Sequence, residues 1–425
     1  MGRFTGIIGI IVILGLAFLW SNNRKAINYR LVVTGLILQI ALAFFILKVP
    51  VGQAIFAWLG KAINKLLDFS QQGGIFVFGD LTKVPQILPP EIVSGGVFLF
   101  ILIPTIIFVC VLVAMAYHVG LMQRVVAGIA RFVHWAMRVS GSEALSNVAS
   151  AFVGQVEAQI MIRPYLSGMT MSELLASMTG SMACIAGGVM AVYISMGVPA
   201  SYLLAASLMA APGALVISKI VFPETQESET KGKVKLEVKS EHANIMDAIS
   251  HGASDGMKIS INVIAMLIGV IALVALVDAL LGYFGHFLAW TGASLDFIGL
   301  NVENLRLKDV FGVFFSLFAI VMGVPAAESF EVGSLMGTKM VINEFVAYTD
   351  LSPMIAQGTL SAKSIVIASF ALCGFANFSS IAIQLGGIGV MVPERKGDLA
   401  RLGFKAMICG TMASYISASL AGILM

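Results

Sequence analysis

Long apolar runs separated by short polar stretches set the pattern of this chain. Ile7–Trp20, Leu31–Leu47, Ile92–Tyr117, Leu174–Met196, Ala200–Phe222, Ile259–Leu281, Ser364–Val392 and Ala406–Met425 read as eight transmembrane helices, because a hydrocarbon core of ~30 Å takes about 20 apolar residues of helix. Most of these runs hold no charge. Lys219 and Asp278 lie near the ends of theirs, where a lysine can reach toward the headgroups. The short first run follows only Arg3, lacks a small-residue cleavage site and reads as a retained span.

Two further stretches, Glu143–Tyr165 and Lys308–Tyr348, are apolar but carry charges in mid-run. They read as re-entrant hairpins, the first opening inward and the second outward, since irregular backbone enters a membrane only where protein or a water-filled cavity surrounds it. Val51–Phe69 and Val119–Val139 place Lys or Arg among apolar residues and read as interfacial helices. Pro223–Asp255, rich in Glu and Lys, reads as a cytoplasmic linker.

The expected fold is therefore an all-α polytopic membrane protein: eight transmembrane helices plus two re-entrant hairpins in an inverted repeat, with the N- and C-termini outside. Residues 1–140 are expected to form a scaffold part with three spans and interfacial helices. Residues 141–222 carry the first hairpin and transport-part helices, and 223–258 the cytoplasmic linker. Residues 259–307 give a scaffold span and outer loop, and 308–425 the second hairpin and last two spans.

The placement of charge supports this topology. Arg24, Lys25 and Arg30; Arg124, Arg131 and Arg138; Lys231, Lys233, Lys235 and Lys239; and Arg395, Lys396, Arg401 and Lys405 fall on one side if the N-terminus is outside. That is the cytoplasmic bias of basic loops. Composition agrees: 58% of the chain is hydrophobic and 12% charged, about half the charged share of a soluble domain.

Little in the sequence points to an enzyme or a resident metal. Cys110, Cys184, Cys373 and Cys409 sit in apolar runs without a C-x-x-C pair and read as small buried hydrophobes. The five histidines have no ligand spacing, and nucleotide and metalloprotease motifs are absent. The carrying residues lie elsewhere. Gly154-Gln155-Val156-Glu157-Ala158 in the first hairpin and Asn343-Glu344-Phe345-Val346-Ala347-Tyr348 in the second each set a carboxylate beside a carboxamide. Such groups donate to and accept from a solute bearing NH, C=O and OH. Gly374 to Ser380 would interrupt the seventh run, and Gly187-Gly188 the fourth. Broken helices at the midplane of an inverted repeat present backbone groups and half-helix ends to substrate and ion. The bland alternatives are an ion-paired Glu157 with Arg163 or Glu344 with Lys339, glycines that only allow close packing, and Asn377, Ser379 and Ser380 as interhelical glue.

At these residues the chain resembles the concentrative nucleoside transporter family. Gly337 to Tyr348 follows that family's G-x-K-x-x-x-N-E-F-V-A pattern, and the size is similar to its short bacterial members. The resemblance implies secondary active symport of nucleosides into the cell with a cation, Na+ or H+, by an elevator-type mechanism. It implies a homotrimer in lipid at the bacterial inner membrane, with no cofactor beyond the coupling ion and no nucleic-acid partner. Gln155, Val156 and Glu157 would face the nucleobase, with Val189 beside it. Glu344, Asn377 and Ser380 would hold the ribose, and Phe375 would line the pocket. The cation would lie by Ser150 and Cys184, with the carbonyls of Val153 and Ile185. Two departures matter: Val156 stands where the family often has Thr or Ser, and a Cys184 thiol suits a hard sodium ion poorly. Under proton coupling Glu157 or Glu344 would carry the proton. The competing readings are a membrane-embedded enzyme using the same two carboxylates, and a passive solute channel.

Overall fold

The computed structural model describes residues 5–82, 99–230, 243–292 and 300–425, and among these it is helical without a strand. In chain order come α1 (Thr5–Leu19), α2 (Tyr29–Leu47), α3 (Pro50–Phe78), α4 (Leu99–His118), α5 (Leu121–Met137), α6 (Gly141–Ser150) and α7 (Glu157–Ile160). Then follow α8 (Met171–Ala183), α9 (Gly187–Ser195), α10 (Ala200–Val221), α11 (Ile245–Trp290) and α12 (Leu307–Met322). The chain closes with α13 (Ser329–Val341), α14 (Glu344–Gln357), α15 (Ala362–Leu372), α16 (Phe378–Met391) and α17 (Lys396–Leu424).

Among the described residues five helical segments can by length and composition cross a membrane: Tyr29–Leu47, Met171–Ser195 across its break, Ala200–Val221, Ile271–Trp290 and Pro393–Leu424. A sixth forms if α4 and α5, bent by 75° at Gly120, are taken as one. That bend, at a glycine with φ +78°, is where the third run was expected to give way to an interfacial helix. The expected start of that run, residues 92–98, lies outside the described residues. Reaching eight requires α1 and the broken pair α15–α16, all three shorter apolar helices.

The core is built on α10 and α17, whose residues are buried nearly throughout. Helix α17 packs on α8, α10, α15 and α16, so it joins the two halves. Buried Gln39 of α2 donates through Nε2 to Met209 O of α10 (3.0 Å) and Ser417 Oγ of α17 (3.2 Å). Small residues bring helices close: a side chain at Gly6 or Gly9 of α1 would strike α17. Helix α11 packs mainly on α4 and leaves Ile268, Ile271, Leu273, Leu276, Leu280, Phe284 and Phe287 facing outward.

Three expected boundaries change. The linker expected over 223–258 is shorter: Asn244 caps the Asp247 amide (3.0 Å), and from Ile245 the chain is already helical, continuing without a break through the expected span Ile259–Leu281 to Trp290. Residues 231–242 of that linker lie outside the described residues. The helix expected over Val51–Phe69 runs on to Phe78. The second hairpin expected over Lys308–Tyr348 instead has α13 and α14 as arms. The stretch before it forms the separate helix α12, ended by Gly323 at φ +106° and packed along α13.

Candidate functional site

The two halves break in matching ways. Helix α8 stops at Ala183, Cys184 is extended, and α9 starts at Gly187. Helix α15 stops at Leu372, Cys373 is extended, and α16 starts at Phe378. Both interruptions expected from sequence are present. They meet: Phe375 N donates to Cys184 O (3.3 Å), and Gly374, at φ +119°, lies so close to the Ala183 carbonyl that a Cβ there would collide with it. Ser414 Oγ of α17 donates to Cys373 O (2.8 Å), so the free carbonyls of the breaks find partners, as buried backbone must.

Each hairpin tip reaches one of these breaks. In the second, Asn343 is the N-cap of α14, its Oδ1 accepting from the Val346 amide (2.9 Å), which places Glu344 at the first helical position. Glu344 is buried, 5% exposed. Its Oε1 accepts from Tyr193 OH of α9 (3.1 Å) and its Oε2 from Asn377 Nδ2 (2.9 Å). Asn377 in turn caps α16: its Oδ1 accepts from the Ser380 amide (2.9 Å) and Ser379 Oγ (2.7 Å). Gln155, at the first tip, donates through Nε2 to Ser380 Oγ (3.4 Å). One hydrogen-bonded line thus runs Gln155–Ser380–Asn377–Glu344–Tyr193 and draws in both tips, the second break and α9. The buried Gln155 Oε1 has no hydrogen-bond partner among the described residues.

The other expected residues sit around this line. Val156 packs against Gly387 of α16, where any side chain would strike it. Glu157 opens the short helix α7 and is exposed; its carboxylate folds back over Gly154 and lies within electrostatic range of Cys110 and Tyr117 on α4. Val189 in the first turn of α9 and Phe375 in the second break are half-buried. Among the described residues neither glutamate is ion-paired with its basic neighbour: Lys339 Nζ donates to Ala371 O (2.9 Å).

The expected cation residues are only partly assembled. Gly187 N donates to Phe152 O (3.2 Å), which brings the first tip and its Val153 to the break that holds Ile185. Ser150 Oγ donates to Ser146 O (2.7 Å) and lies 3.1 Å from Ser181 Oγ. The Cys184 thiol turns to Ser207 O of α10 (3.7 Å) instead. Among the described residues no group of three or more His, Cys, Asp or Glu could hold a metal ion.

Sequence reasoning missed Tyr193, the hydroxyl on Glu344; its signal was one hydroxyl-bearing ring in the otherwise apolar α9. It also missed Gln159, whose carboxamide donates to Ser181 Oγ (2.6 Å) and accepts from Ser177 Oγ (2.6 Å) behind the first tip.

Three family descriptions match successive parts of the chain: "Na+ dependent nucleoside transporter N-terminus" over residues 8–81, "Nucleoside recognition" over 99–200 and "Na+ dependent nucleoside transporter C-terminus" over 202–422. An uncharacterized transporter of Bacillus subtilis is 39% identical over 100% of both chains. The nucleoside permease NupC of Helicobacter pylori is 35% identical over 98% of this chain and 96% of its own. The human sodium/nucleoside cotransporter 1 is 37% identical over 98% of this chain and 63% of its own. Among solved structures, CNTnw in an inward-facing substrate-bound state superposes with a TM-score of 0.90 at 38% identity, over 100% of this chain and 98% of that one. A doubly substituted variant of CNTnw in an outward-facing state gives the same score. This chain is a transporter rather than an enzyme, and it belongs to the concentrative, Na+-dependent nucleoside transporter family.

Proposed function

We propose that this protein is a symporter that carries nucleosides into the cell together with a cation. The observation that carries the reading is the buried Glu344 carboxylate, shared by Tyr193 and Asn377 on the line that ends at the unpartnered Gln155 Oε1. A buried carboxylate accepts from a vicinal diol, and a free carboxamide oxygen accepts from the NH of a base. Glu344, Asn377 and Ser380 then hold the ribose. Gln155, Val156 and Glu157 take the base beside Val189, with Phe375 against the rings.

Sodium is the coupling ion favoured by the family's description. It would sit between the first tip and the first break, at Ser150 and the carbonyls of Val153 and Ile185. The Cys184 thiol is the feature that favours protons instead. Eight crossings, two hairpins that enter and return, and both termini outside fit the helix lengths and the one-sided basic clusters. The hairpins and broken helices would travel together, elevator-fashion, against α4 and α11. The exposed apolar face of α11 suits contact with lipid and with two further copies in a trimer of a bacterial inner membrane.

Uptake into proteoliposomes tests this, with a panel of labelled nucleosides, sodium replaced by an inert cation, and pH varied. The expected outcome is accumulation above the outside concentration that requires a sodium or proton gradient. Uptake that is indifferent to both gradients would exclude symport and leave the channel reading.

A further inference from the structure

Among the described residues two lysines are buried, and they differ in their company. Lys219 of α10 is an ordinary buried ion pair. Its ammonium meets the Glu143 carboxylate, Glu224 Oε2 (3.2 Å) and Ser172 Oγ (2.8 Å). Lys339, 0% exposed, has no carboxylate within ion-pair distance among the described residues; its Nζ donates to the carbonyl of Ala371 (2.9 Å). Ala371 belongs to the last turn of α15, one residue before the helix stops at the break. The final carbonyls of a helix lack intrahelical partners and carry its negative dipole end. Enclosing a cation in a membrane protein is costly, and such groups are kept where they have a partner or a function, so a lysine kept there has electrostatic work at that helix end.

The matching place in the first half is neutral. The arm α6 faces α8 with Asn147 and Ser150: Asn147 Nδ2 donates to Ala176 O (3.2 Å) in mid-helix, and Ser150 Oγ lies 3.1 Å from Ser181 Oγ in the last turn. The last turn of α6 holds no basic residue, whereas that of α13 holds Lys339, and the buried Asn147 Oδ1 has no partner among the described residues. One half thus supplies a fixed ammonium at its broken helix. The other presents uncharged oxygens at its own.

We propose that Lys339 is a tethered cation, doing permanently for the α15 break what a mobile coupled cation does for the α8 break. The carrier thereby moves a single cation with each nucleoside. Lys339 is a positioning residue, acting on the substrate through the α15 end and the adjoining Asn377–Glu344 pair. This rests on the symport reading above.

The test uses the full chain in proteoliposomes. Wild type is expected to give a reversal potential for one charge per nucleoside, with a Hill coefficient of about 1 for the coupling cation. Lys339→Gln, verified as folded by size-exclusion profile and melting temperature, should lose uptake at ordinary cation concentration. It should regain uptake at high concentration with a Hill coefficient approaching roughly 2. Lys339→Arg, which keeps the charge, should stay near wild type. A wild-type ratio of two cations per nucleoside overturns the proposal and needs no variant. So does a folded Lys339→Gln that keeps the wild-type cation dependence, or one that no cation concentration restores. Absence of any cation-driven uptake in wild type would instead sink the symport reading itself.

Discussion

The two hairpin tips each carry one glutamate, and the two glutamates live in different surroundings. Glu344 is enclosed, held by a tyrosine from one half and an asparagine from its own. Glu157 is exposed, curled over Gly154, and faces α4, the helix that pairs with α11. The two tips look alike in sequence, but the fold uses one carboxylate as part of its own hydrogen-bonded frame and gives the other no hydrogen-bond or ion-pair partner among the described residues. On the proposed site, removing the first would disturb protein and substrate together, and removing the second would disturb substrate alone.

Glu344→Ala should give the largest effect. It strands the Tyr193 hydroxyl and the Asn377 amide in a buried place, each at about 1–3 kcal/mol. It also deletes the acceptor proposed for the ribose, where a hydrogen bond to a charged group is worth about 1.5–3 kcal/mol. Uptake should fall by roughly 100-fold or more and the melting temperature should drop. An unchanged melting temperature would mean that the Tyr193 and Asn377 contacts contribute nothing to the fold.

Glu157→Gln should come next and sharpen the contrast. The carboxamide keeps the size and one acceptor but loses the charge, so uptake should fall about 10-fold, the cost of one charge-assisted hydrogen bond. The melting temperature should stay where it was, since no partner among the described residues is left unpaired. A drop comparable to that of Glu344→Ala would erase the distinction between the two sites.

How much of this was legible in the sequence follows from the range of the interactions involved. Both helix breaks could be read locally, because Gly374 and the polar run to Ser380, like Gly187-Gly188, weaken a helix on the spot. Even so, α8 ends at Ala183, before its glycines, since where a helix stops depends on what receives its last carbonyls. The second hairpin was placed too early. Leu307–Met322 is as apolar as an entering arm, and hydropathy cannot distinguish a helix that dips from one that lies across its neighbour. What distinguishes it is Gly333 and Gly337 of α13, whose missing side chains let α12 lie against it at Ser316 and Phe311. The Asn343-Glu344 and Asn377–Ser380 motifs were visible as chemistry. Their union through Tyr193, 151 residues before Glu344, was not, because nothing local encodes a contact of that span. The same holds for the Cys184 thiol, whose turn toward Ser207 is set by α10.

The smallest effect belongs to the base of the first hairpin, and its pH dependence has a definite sign. Glu224, just beyond α10, accepts from Thr170 Oγ1 (2.7 Å), the N-cap of α8, and from Lys219 Nζ (3.2 Å). Partial burial pushes its carboxyl upward. The Lys219 ammonium and the hydrogen bonds from Thr170 and the Gln226 amide more than offset that and hold it below the usual glutamate value. A group depressed in the folded state contributes stability above its unfolded value of about 4.3, and that contribution fades as pH falls through the lower folded value. At neutral pH Glu224→Gln should therefore melt slightly below wild type, and the gap should narrow as the pH is taken below about 4. Lys219 keeps Glu143 in the variant, so the hairpin base stays closed. The second hairpin is fastened differently at its base, Glu328 Oε2 accepting from Ser361 N (3.1 Å) and Oγ (2.9 Å). Glu224→Gln leaves that fastening untouched. Uptake at neutral pH should accordingly stay within about twofold of wild type. A gap in melting temperature that widened on acidification would contradict the depressed carboxyl and make Lys219–Glu143 the pair that alone closes the first hairpin.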